Sequence, residues 1–267
     1  MADFDRDNVE IYKGLQKTFQ RMKGGSQNAY LKIFYAQEHY FSNNPELSSC
    51  FIEESRELLK AALRKFEYAA MVGEQMHSIR EIRNLRDYSQ VQRYYDVPSE
   101  GEGEVPFLDE LLFDQSLFIW RAFLDFYMKY LVYFCAKIYV ENMSVKVFNK
   151  NMKNAETNSK SQLVFTYFQQ GVFNEETDIS NWGNLLRSFR DKTAHNKLIT
   201  LTMKEIETRT GQKRLEPTIQ DQPVSFFVQH TFENNAFTMF QELLPILYAV
   251  EWIPGSYKPG MYQGERL

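Results

Sequence analysis

The run Phe189-Arg190-Asp191-Lys192-Thr193-Ala194-His195-Asn196 brings together the residue types that phosphate chemistry uses. An imidazole ordinarily changes charge near neutrality, so His195 is of a type that can take a proton or give one. Arg190 stays charged and offers forked N–H donors to phosphate oxygens, where they stabilise the charge that builds up during reaction. Asp191 stands four before His195, a spacing at which its carboxylate reaches the ring, fixes the tautomer and stabilises the imidazolium. Arg187 stands four before Asp191 and competes for the same carboxylate. Five residues advance an ideal helix by about 500°, which leaves Arg190 and His195 roughly 140° apart. They converge only where the helix ends or distorts near His195, or across a dimer. Asn196 suits such a stop.

The surroundings have the matching charge. Residues 183–215 carry eight Lys/Arg against three acids, a net of +5, in a chain whose net charge is −4. A basic island in an acidic chain suits phosphate, although a solvated hairpin or cations placed against a helix C-terminus would look similar. Arg80, Arg83, Arg86 and Arg93 with Tyr88, Tyr94 and Tyr95 form a weaker candidate, either a single-strand grip or a solvated helix face. His39, His77 and His230 lie far apart without an HxxxH or HExxH pairing, so no metal site is expected. There is no GxxxxGK[ST] or GxGxxG run, and no cofactor is expected.

The elements that must position these residues read as helices. With 267 residues, 43% hydrophobic and 15% aromatic, the chain can bury a substantial core. Helices are expected over 5–23, over 27–42 and, from a first turn at Pro45, over a long stretch to Tyr95. Leu58, Leu59, Ala62, Leu63, Phe66 and Ala69 mark the buried face of that third helix. Residues 96–106, with two Pro, two Gly and four acids, read as a linker between an N-terminal helical region at 1–97 and a bundle at 107–252. The helix from Phe107 to Val140 is apolar on most sides, with Asp114, Arg121, Asp125, Lys129 and Glu141 as a narrow polar stripe. It belongs in a bundle centre or a subunit contact, and its charges argue against a membrane span. Further helices are expected near 159–170, over 181–195 with Asp178 or Ser180 as cap, and over 232–252. Residues 198–229 alternate like a small hairpin, turning at Thr210-Gly211, with Val224 to Val228 as β-prone sequence. Two cysteines, Cys50 and Cys135, and an acidic polar N-terminus without a signal peptide point to the reducing cytoplasm.

The Arg190-x4-His195 run, with polar Asp191 after the arginine and a position late in a helical chain, resembles the signature of HEPN domains. The resemblance covers about 107–252 at most and does not reach the first hundred residues. It implies an all-α, up-and-down helical bundle, here with an N-terminal helical extension and a small β-hairpin insertion. Active members of the family are ribonucleases that dimerise so that two motifs face each other. RNA cleaves when its 2′-OH attacks the adjacent phosphate, which takes a base, an acid and a cation but no metal. The resemblance therefore implies Arg190, His195 and Asp191 as catalytic residues, with Arg187, Lys192, Asn196 and Lys197 as RNA contacts. It further implies a homodimer, and a role as a toxin or anti-phage effector held by a protein inhibitor. Inactive members also exist, so a catalytically silent module that binds RNA or a protein partner is the alternative. The subset partnered with nucleotidyltransferases often has Tyr two places after the histidine; Lys197 stands there instead.

Overall fold

A computed structural model of the chain describes residues 30, 32–85, 107–155, 159–174, 181–194, 199, 201–207 and 213–249, without side-chain detail at 81–85, 107, 190–194, 207 and 213–215. These residues are mostly helical, with one small antiparallel sheet. The expected helix at 5–23, the linker at 96–106 and the turn at Thr210-Gly211 lie outside them.

Helix α1 covers 32–42 and α2 spans Ser49–Leu85. Pro45 does not open α2 as the sequence suggests. It sits in a turn closed by Leu47 N donating to Asn44 O (3.2 Å), and Ser48 does the capping, its Oγ accepting from Phe51 N at 3.3 Å. Helix α3 spans Phe107–Ala136 and stops short of Val140, because Lys137 turns left-handed at φ 58°. Then come α4 (Val145–Asn154) and α5 (Ser159–Tyr167), which runs into a π turn at Phe168–Val172, and α6 (Trp182–Ala194).

The hairpin region holds β1 (Thr202–Glu207), β2 (Lys213–Ile219) and β3 (Gln222–Pro223), with Thr202 opposite Thr218 and Ile219 opposite Gln222. Val224 to Val228, β-prone by composition, is instead the short helix α7. Val224, Phe227 and Val228 are all buried, the i, i+3, i+4 set that a helix turns to one side. Core packing overrides strand preference here. A second π turn, Gln229–Glu233, leads into α8 (Asn234–Tyr248), which ends as Ala249 turns left-handed at φ 56°.

Helices α2 and α3 lie against each other and run antiparallel, since Phe51 stacks on Tyr133 and Phe134 while Phe66 meets Trp120 and Phe123. One cluster of buried residues runs from Ile33 to Tyr248 and so includes residues on both sides of 96–106. Two of its phenols pair inside it: the Tyr130 and Tyr248 hydroxyls are 2.5 Å apart, and Gln37 Nε2 donates to Tyr130 at 3.3 Å. The polar stripe read along α3 is partly covered. Arg121 and Asp125 pair at 2.9 Å with the arginine largely covered, while Leu111, Phe118 and Phe126 are the large residues left exposed. No described helix is long and apolar enough to cross a membrane.

Candidate functional site

Helix α6 carries the Arg190 end of the motif, and its sequence explains how it is held. Asn181 O accepts from Leu185 N at 3.0 Å and starts the helix, a place the sequence reading gave to Asp178 or Ser180, which lie outside the described residues. Trp182, Leu186 and Phe189 recur at four- and three-residue spacing and are all buried. Gly183 allows close approach: a Cβ there would lie 2.7 Å from the Phe173 ring and 2.8 Å from Val172 O. At the other end Phe189 packs edge-on against Phe113 of α3 (6.1 Å) and Phe227 of α7 (6.0 Å). A helix pinned at both ends presents its last turn in a fixed place.

That last turn comprises Arg190, Asp191, Lys192, Thr193 and Ala194. His195, Asn196 and Lys197 lie outside the described residues. Arg187, one turn earlier, is exposed on α6. The structure thus places Arg187, Arg190, Asp191 and Lys192 on one helix.

A second constellation lies beside this end of α6, and sequence spacing did not reveal it. Adjacent residues of α7 look in two directions. Phe227 faces Phe113, Phe189 and Phe232, whereas Phe226 faces polar groups. The Arg80 guanidinium lies 4.4 Å from the centre of the Phe226 ring, and the His77 and His230 rings each lie 6.1 Å from it. Arg80 also donates to Glu216 of β2 at 2.7 Å, with both side chains nearly covered. His77 and His230, 153 positions apart and discounted as a pair, therefore flank one ring. Arg80 faces inward to an acid, and so leaves the single-strand grip proposed for Arg80, Arg83, Arg86 and Arg93; the side chain of Arg83 and all of Arg86, Tyr88, Arg93, Tyr94 and Tyr95 are outside the described detail.

Behind this cluster Glu233 is buried in the second π turn. Burial, reinforced by the negative charge of Glu74, pushes its carboxyl up to about 8, so it holds its proton at neutral pH. No group of three or more His, Cys, Asp or Glu among the described residues is arranged to hold a metal ion. Comparison of the chain with protein-family models, curated proteins and solved structures finds no match.

Proposed function

We propose that the chain is a metal-independent endoribonuclease of the HEPN type, cleaving RNA by attack of its own 2′-OH. The observation that carries the reading is the position of Arg190 in the final turn of a pinned helix, five residues before His195. Arg190 holds the phosphate and offsets the charge on phosphorus in the transition state. His195 moves the proton, and Asp191 fixes its ring. Arg187, Lys192, Asn196 and Lys197 line the approach of the RNA backbone. One motif supplies one histidine, and a two-fold axis makes that two, giving both acid and base in one cleft. Leu111, Phe118 and Phe126 of α3, exposed beside Tyr68 of α2, supply apolar surface for that homodimer. The setting is the cytoplasm, with a toxin or anti-phage role and a protein inhibitor as partner.

The test is cleavage of mixed RNA by purified protein with chelator present. Products should end in 2′,3′-cyclic phosphate and 5′-hydroxyl, and RNA blocked at the 2′ position should resist. Arg190→Ala and His195→Ala should each abolish cleavage while leaving the circular dichroism spectrum and melting cooperativity intact. Mixed into heterodimers, the two inactive variants should recover part of the activity. A strict need for Mg²⁺, or near-wild-type cleavage by either variant, overturns the mechanism. Binding of RNA without any cleavage points to the silent module instead.

A further inference from the structure

We propose that the exposed lysine face of α4 is a docking surface for the backbone of single-stranded RNA, distinct from the motif; this rests on the reading of the chain as an RNA-cleaving protein. Lys146, Lys150 and Lys153 are spaced four and three apart, so they line one side of the helix in steps of roughly 6 and 4.5 Å. All three are exposed, and none is paired with an acid among the described residues. Helix α4 contains no acid at all, and residues 129–160 hold six lysines against two acids in a chain of net −4. Like charges at these spacings destabilise a helix, so a face of this kind is best stabilised by an anion.

The opposite face fixes the lysines in place. Phe148 and Met152 have no exposure, Phe148 lies 4.7 Å from Phe168, and Ser144 caps the helix by accepting from Val147 N at 3.3 Å. Between the lysines stand Asn149 and, beyond them, Asn154. Helix α4 itself exposes no large apolar side chain to enter a bilayer, which favours a nucleic-acid backbone over a membrane surface. Repeated phosphates match a row of cations whatever the base sequence, so this surface adds affinity and register without reading bases.

Packing also sets its distance from the motif. The chain of contacts Phe148–Phe168–Phe173, with Phe173 against Gly183, seats α4 near the N-terminal end of α6. Arg190 is near the other end of that helix, whose 13 residues measure roughly 20 Å. Only a strand several nucleotides long spans both places, so a dinucleotide cut at the motif does not touch α4.

The experiment compares wild type with Lys146→Gln/Lys150→Gln/Lys153→Gln, and with the corresponding Glu triple. Binding is read by fluorescence anisotropy on a 2′-O-methylated, uncleavable single strand of about 16 nucleotides, the upper end of one binding site. Cleavage is read on a dinucleotide. Three lost phosphate contacts should lower the slope of log affinity against log salt by about 2 and weaken binding on the order of a hundredfold at ~0.1 M salt. Dinucleotide cleavage should not change, and the melting temperature of the Gln triple should not fall. Unchanged affinity and slope overturn the proposal, as does an equal loss on the dinucleotide. Retained RNA binding alongside lost sedimentation with phosphatidylserine vesicles also overturns it, in favour of a membrane surface. Lost RNA binding by the triple variant when wild type cuts nothing leaves the docking surface standing and removes the ribonuclease reading.

Discussion

Around Trp120 the space between α2 and α3 is filled with rings: Phe66, Phe123 and Phe232 lie within about 6 Å of the indole, and Phe240 meets Phe66 and Phe123. Roughly 20 Å further along α2, around Phe226, the side chains are Arg80, His77, His230 and Glu216, with Glu233 buried behind them. The first region gains by excluding water from carbon. In the second, each charge must find a partner or give up its charge: Arg80 finds Glu216, and Glu233 keeps its proton. Stability should therefore come mainly from the ring-filled region, and pH dependence from the charged one, which adjoins the motif helix through Phe227 and Phe189.

Trp120→Ala breaks the comparison where the effect is largest. Removing a side chain with no exposure should cost about 3–5 kcal/mol, seen as a large fall in denaturant midpoint at unchanged slope. A loss under about 1 kcal/mol would mean that the rings repack and the region is not the stability centre. Arg80→Met comes next. It leaves the covered Glu216 carboxylate without its arginine and should cost about 3 kcal/mol. Lys204→Ala, at an exposed pair with Asp221, is the control and should cost well under about 1 kcal/mol.

Glu233→Gln sharpens the comparison with an effect that depends on pH. The native carboxyl titrates near 8 and the unfolded one near its ordinary 4.5, so between those values the native state holds a proton that the unfolded state has released. Its contribution is present in full below about 4.5 and falls away as pH rises to about 8. Wild-type melting temperature should drop across that window more steeply than that of Glu233→Gln. Parallel profiles would show that Glu233 is not the group responsible.

Sequence by itself determined the helical character, the long amphipathic face from Leu58 to Ala69, the hairpin between the last helices, and the Arg190-x4-His195 string. These depend on spacing along the chain, where 3.6- and 2-residue periods are visible without knowing what lies opposite. It misread places where a neighbour settles the matter. Pro45 yielded to the Ser48 cap, and Val224 to Val228 took the helix whose one side could be buried. Only tertiary structure decided that Arg80 meets Glu216, 136 positions away, and that His77 and His230 share Phe226. Helix α6 shows the division most plainly. Its Trp182, Leu186, Phe189 spacing was legible, but what it packs on was not: the rings of Phe113 and Phe227 come from segments brought together only by folding. A local pattern can say which side of a helix is apolar, while the partner that covers it depends on contacts between distant parts of the chain.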